Sequence, residues 1–215
     1  MNVKKIALSL LAALLAGCGS ELSNKNPLLA PLPTPVPTPV TCPATPLIFE
    51  DFSGGSLTNP GTYGDTGSSV VNSVAAGAWH MVVTSAGWGA GSNVESATGP
   101  KNASCKTTLK FDIKSSAAGS YTVRFRESGT GVSETDENWT SATLSLPVGA
   151  SFTTVAVTIA GMTEDAYGSP SCGGVCQNAG HGNNAKDTGA ILKFEISYTT
   201  ALSAASVDID NIRYE

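Results

Sequence analysis

The sequence predicts an all-β domain built as a two-sheet antiparallel sandwich. Short segments in which apolar and polar residues alternate recur along most of the chain, and a period of two belongs to strands. Turns rich in serine and glycine separate them, with 23 glycines among 215 residues. No long apolar stripe repeats at the 3.6-residue period of an amphipathic helix.

Leu47 to Phe52 opens the folded part. Trp79, Met81 and Val83 alternate with His80, Val82 and Thr84, so Trp79 is expected in the core. Leu109, Phe111 and Ile113 alternate with Lys110, Asp112 and Lys114. Tyr121, Val123 and Phe125 alternate with Thr122, Arg124 and Arg126, which sends both arginines away from the core. Leu144-Ser145-Leu146, then Val155, Val157 and Ile159, then Leu192, Phe194, Ile196 and Tyr198 follow the same rule. In the last strand, from Ser206 to Tyr214, Val207 and Ile209 point one way while Asp208 and Asp210 point the other. At least eight strands in about 170 residues fit a jelly roll more readily than an immunoglobulin sandwich. Pairing of the first and last strands is expected to bring Glu50 and Asp51 towards Asp208 and Asp210.

The first 46 residues have a different character. Lys4 and Lys5 precede an apolar run from Ile6 to Leu15, too short to span a bilayer as a helix and laid out as an export signal over residues 1–17. The ending Leu15-Ala16-Gly17-Cys18 resembles a bacterial lipobox, which implies acylation of Cys18 and attachment to a membrane. Gly19 follows where an inner-membrane retention signal would have Asp, so the resemblance implies the outer membrane. Residues 18–46 carry Pro27, Pro31, Pro33, Pro35, Pro37, Pro39, Pro43 and Pro46, a tether favouring extended polyproline II. At ~3.1 Å per residue it would reach roughly 60–80 Å. The domain itself is assigned to 47–215.

Besides Cys18 there are four cysteines, an even number that in an exported chain suggests disulfides. Of the three connectivities, the favoured one joins Cys172 to Cys176 and Cys42 to Cys105. A zinc site on Cys172, Cys176 and His181 lacks a clear fourth ligand and would need a reduced compartment. The formal charge is −5, and 12 basic residues fall to 10 against 17 acidic ones once Lys4 and Lys5 are set aside. That balance disfavours nucleic acid as a partner.

Several stretches together carry a family likeness. Phe49-Glu50-Asp51-Phe52 opens the domain and Ile209-Asp210-Asn211-Ile212 closes it. Between them come Trp79 to Gly91, ending in a Gly-Trp-Gly turn, Tyr121 to Glu127, Leu146-Pro147 and Phe152 to Val157. In these the domain resembles the jelly-roll carbohydrate-binding modules related to cellulosomal β-glucan binders and CIA30-type domains. The resemblance implies polysaccharide binding without catalysis. Relatives often have Trp where Phe152 stands, and the loop from Thr163 to Gly189 has no assigned counterpart. The resemblance also implies a structural calcium ion held by Asp210, with Glu50, Asp51 and Asp208 as further candidates. Calcium takes six to eight oxygens, so backbone carbonyls would complete its shell.

Candidate binding residues follow from the chemistry of sugars. Aromatic rings stack on the apolar faces of pyranoses, and charged or amide groups hydrogen-bond the hydroxyls. Trp88 and Trp139 are the expected platforms because both stand in Gly-, Asn- or Thr-rich surroundings. Asp136 beside Trp139, with Arg124 and Arg126, supplies polar contacts. Tyr63 and Tyr167 rank lower, as loop aromatics. Catalytic signatures are missing: there is no Gly-x-Ser-x-Gly elbow, His-Glu-x-x-His or P-loop. The acid pairs Glu50/Asp51, Asp136/Glu137, Glu164/Asp165 and Asp208/Asp210 leave a glycoside hydrolase as a third reading, behind a structural or adhesive lipoprotein that binds protein.

Overall fold

A computed structural model describes residues 42–86, 89–127, 137–165 and 186–215. Those residues form thirteen strands: β1 (Leu47–Glu50), β2 (Thr58–Gly64), β3 (Ser69–Ala75), β4 (Ala78–Ser85), β5 (Ala90–Glu95), β6 (Thr108–Ser115), β7 (Ser120–Glu127), β8 (Asn138–Thr140), β9 (Leu144–Ser145), β10 (Thr153–Thr158), β11 (Thr163–Glu164), β12 (Ile191–Tyr198) and β13 (Leu202–Tyr214). The first sheet runs β10-β6-β13-β4-β3, with β1 also paired to β13. The second runs β11-β8-β7-β12-β5-β2, with β9 beside β7. The expected jelly-roll sandwich is the observed architecture.

The closing strand β13 is the axis of the first sheet, flanked by β4 and β6. The chain's ends meet on it as expected, Leu47 opposite Tyr214 and Glu50 opposite Ile212. Simple alternation does not run its full length. Val207 and Ile209 are buried, but so are Ile212 and Tyr214. Between them the register against β6 shifts, and Asn211 adopts a left-handed φ of 53°. A bulge of this kind adds a residue and resets which face is core. A second register shift, between Ile191 and Lys193, buries Ile191 and leaves Leu192 half-buried. The alternation expected from Leu192 therefore holds only from Phe194 onwards.

Rings from both sheets lock the core. Phe111 of the first sheet meets Phe194 of the second edge-on at 5.4 Å between centroids, and Trp79 meets Phe194 at 6.4 Å. Such pairs add about 0.5–1.5 kcal/mol each beyond area burial. Trp79 is fully buried, as its phase predicts, and donates its indole N–H to Asn72 Oδ1 at 3.1 Å. Asn72 passes the chain on to Ser92 Oγ at 2.7 Å, and Ser92 donates to the Gly61 carbonyl at 2.8 Å. This polar relay crosses from one sheet to the other with each donor satisfied, as burial demands.

The Cys42–Cys105 disulfide is present, with Cα atoms 5.3 Å apart, and closes a separation of 63 residues. Next to it Lys106 Nζ donates to the carbonyls of Pro43 and Thr45 at 2.8 and 2.7 Å. Residues 42–46 are thereby fixed to the turn that precedes β6. Cys172 and Cys176 lie outside the described residues.

Candidate functional site

The outer face of the second sheet carries Arg124 and Arg126 together with Tyr63. On β7 the inward phase is Tyr121, Val123 and Phe125, so Arg124 projects outward as expected. Arg126 shares that phase. Arg124 Nη2 reaches Asp165 Oδ2 at 2.6 Å, its Nη1 reaches Glu195 Oε1 at 2.5 Å, and its Nε donates to Thr140 Oγ1 at 2.9 Å. The guanidinium thus ties β7 to β8, to β12 and to the residue after β11. Burial works against its charge, but Glu195, Tyr63 and Asp165 more than offset that and hold its pKa above the ordinary value.

Tyr63 joins this network from the far edge. It stands on β2, an edge strand that tolerates Pro60 because an edge can spare a ladder donor. Its hydroxyl donates to Glu195 Oε1 at 3.0 Å, contacts Ser197 Oγ, and accepts from Arg124 Nη1 at 3.4 Å. To reach those groups on β12 the side chain lies across β5. Its cross-strand partner there is Gly91, and a Cβ at that position would run into the phenol ring. Burial of the hydroxyl, with the Glu195 carboxylate, pushes the phenol above its ordinary pKa. Yet 40% of the residue remains exposed, among the large apolar side chains left at the surface. The ring is therefore held on the sheet by its hydroxyl, with part of its surface open to solvent. Lys193 and Glu95 pair alongside at 3.2 Å, and Asn59 donates to Glu95 at 2.7 Å.

Tyr63, expected as a lower-ranked loop aromatic, stands instead on a strand. The missed signal is the glycine pattern of β2 and β5. Neither strand carries the large alternating apolar residues that mark a strand, so alternation does not reveal them.

Trp139 requires the opposite correction. It lies on β8 and not in a turn, and is 8% exposed. Antiparallel partners share a face, and Trp139 sits opposite the buried Phe125. The ring faces the core, with Lys186 Nζ 4.7 Å from its centroid. Lys186 also donates to the carbonyls of Ile159 and Met162 at 2.8 and 2.6 Å. At this end of the sandwich β7 turns Glu127 inward, 3% exposed, where its Oε1 accepts the backbone N–H of Asp187 at 2.5 Å. Burial is the first cause that pushes Glu127 up to about 8, with the carboxylates of Glu137 and Asp187 adding to it. Trp139 and Glu127 brace the interior beneath β8. They do not offer a ring to a ligand.

Trp88, Asp136, Tyr167, His181 and Cys18 lie outside the described residues.

The acids expected to hold calcium divide into two groups. Asp208 is taken up on the sheet surface, with Oδ1 2.5 Å from His80 Nδ1 and Oδ2 3.3 Å from Lys114 Nζ. Two basic groups thus already meet its oxygens. Asp210 differs. Burial raises its pKa, and the nearby carboxylates of Asp112 and Asp51 raise it further, which is the signature of acids crowded together. Glu50 Oε1 accepts the N–H groups of Asp51 and Phe52 at 3.2 and 3.1 Å, and its Oε2 that of Ala97 at 3.2 Å. A depression of about 340 Å³ opens here, lined in part by Glu50, Asp51, Ser53, Ser56, Thr98 and Lys101. Among the described residues no three His, Cys, Asp or Glu side chains converge as metal ligands. Glu50, Asp51 and Asp210 therefore do not make a calcium cage by themselves, and backbone carbonyls would have to supply most of any shell.

No protein-family model matches the chain, and no curated protein matches it. Solved structures do. The family 11 carbohydrate-binding module from Clostridium thermocellum, in complex with a β-1,3-1,4-mixed-linked tetrasaccharide, is 21% identical with a TM-score of 0.58, over 79% of this chain and 94% of that one. The same family's module of the cellulosomal cellulase Lic26A-Cel5E of Clostridium thermocellum is 20% identical, TM-score 0.59, over 80% and 95%. The family 30 module of its cellulosomal cellulase Cel9D-Cel44B is 12% identical, TM-score 0.52, over 80% and 97%. The chain shares the jelly-roll β-sandwich fold of these carbohydrate-binding modules.

Proposed function

We propose that the domain is a non-catalytic module that binds an uncharged polysaccharide on the outer face of its second sheet. One observation carries the reading. Tyr63 is held on that face beside Arg124 paired with Glu195 and Asp165, and Lys193 paired with Glu95; with Arg126 in the same outward phase, three cations stand against three carboxylates. A face whose charges balance has no net pull on an ionic ligand. A neutral glycan needs a ring to stack on and polar groups to meet its hydroxyls, and both are here. Trp88, three residues before Gly91 in the chain, is proposed as a second ring. The likeness to modules named for carbohydrate binding supports the same reading. Screening the protein on immobilised glycans tests it, with mixed-linked β-glucan as the first probe. Retention of neutral β-glycans is expected. Retention of proteins but of no glycan would favour the adhesive alternative.

The sequence before the domain supports presentation at a membrane. Cys18 is proposed to carry lipid and residues 18–46 to act as a spacer, so that the module stands off an outer-membrane surface. Cys18→Ser is expected to move the protein to the soluble fraction with its β-domain intact. Retention in the membrane would refute the anchor.

Calcium is proposed as a structural ion held by Asp210 with backbone carbonyls completing its shell, where it would offset repulsion from the neighbouring carboxylates of Asp112 and Asp51. A ligand that binds only the folded state raises stability by mass action. Millimolar calcium is expected to raise the Tm over that in chelator for the wild type and not for Asp210→Ala. Equal melting of both proteins in both conditions would remove the ion from the account.

A further inference from the structure

We propose that Gly91 is a positioning residue for the glycan-binding face, acting through Tyr63: the bare backbone at position 91 is the seat that lets the phenol lie flat across β5. The proposal rests on the glycan-binding reading and adds to it a residue that need not touch ligand.

A glycine inside a strand has to be accounted for, because it weakens the strand relative to alanine. The usual account is a backbone conformation closed to other residues. It fails here. The positive-φ glycines are Gly55, Gly67, Gly77, Gly99 and Gly149, and Gly91 is not among them. What excludes a side chain at 91 is the Tyr63 ring, since an added Cβ would meet its Cζ, hydroxyl and Cε1 atoms. The same device recurs two residue pairs along the ladder, on the same face. Gly61 of β2 pairs with Asn93 of β5, and a Cβ at 61 would come within 2.7 Å of the Asn93 amide nitrogen. Gly61, too, has no positive φ. Each strand thus supplies one glycine and one long polar side chain, and each side chain lies over the other strand's glycine. The ring is seated from below by Gly91 and fixed at its tip by Glu195, Ser197 and Arg124. A side chain at 91 would lift the ring and break that tip contact.

Three readouts test this on the full chain. First, Gly91→Ala should weaken binding to mixed-linked β-glucan about as much as Tyr63→Ala does, roughly ten-fold. The double variant should lose no more than either single one, because both act on the same ring. Second, Tyr121, Tyr198 and Tyr214 are, like Tyr63, held above the ordinary phenol range. Ultraviolet titration of ligand-free Gly91→Ala should therefore show one more tyrosine ionising near 10 than the wild type does. Third, if Gly91→Ala destabilises the fold, Tyr63→Ala should restore it by removing the clash. An unchanged titration with unchanged binding overturns the proposal, and so does a destabilisation that Tyr63→Ala fails to relieve. A shifted titration in a protein that binds no glycan leaves the seat standing and defeats the glycan reading alone.

Discussion

Trp139→Ala should melt far below the wild type while its folded fraction binds glycan as before. The ring is buried on the core face of β8, opposite Phe125, and is covered by the Lys186 ammonium. Emptying such a site costs about 3–5 kcal/mol. For a chain of this size each kcal/mol lowers Tm by about 2–4 °C. A drop of roughly 6–20 °C is expected in a thermal melt followed by circular dichroism. A variant that melts like the wild type but loses glycan would return Trp139 to the binding surface.

Glu127→Gln should flatten the dependence of stability on pH between about 4.5 and 8. Burial raises Glu127 from its ordinary 4.5 to about 8 in the folded chain. Between those values the native state binds a proton that the unfolded chain has released, so stability falls as pH rises. Its contribution is complete below the unfolded value and spent above the folded one. For one proton the slope is at most about 1.4 kcal/mol per pH unit. Glutamine keeps an oxygen to accept the Asp187 N–H and cannot ionise, so it should also be the more stable protein at pH 8. Denaturant unfolding at several pH values measures both effects. Parallel slopes for the two proteins would show that another group titrates.

The fold was legible in the sequence wherever strands alternate. Trp79 to Thr84, Leu109 to Lys114 and Tyr121 to Arg126 have the expected phases. The alternation could not reveal the bulges at Asn211 and Ile191, because a single inserted residue leaves local periodicity intact on either side of it. The candidate site was harder to read. Arg124 was legible because its strand has large apolar neighbours that fix the phase. Tyr63 was not, since β2 and β5 are marked by glycines that exist to admit side chains, and a glycine reads as a turn. Trp139 was misread for a related reason. A strand of three residues gives no alternation to count, and its polar neighbours suggested a loop.

The glycan-binding face depends most directly on Tyr63. Titration calorimetry of the wild type and of Tyr63→Ala with a neutral β-glucan that the wild type retains isolates its contribution. A stacked ring is worth about 1–3 kcal/mol by analogy with bases stacked on aromatic side chains, which corresponds to five-fold to more than a hundred-fold in Kd. Loss of at least five-fold in affinity, with Tm within a few degrees of the wild type, is the result predicted. Undiminished affinity in Tyr63→Ala would place the glycan elsewhere and contradict the assignment of this face.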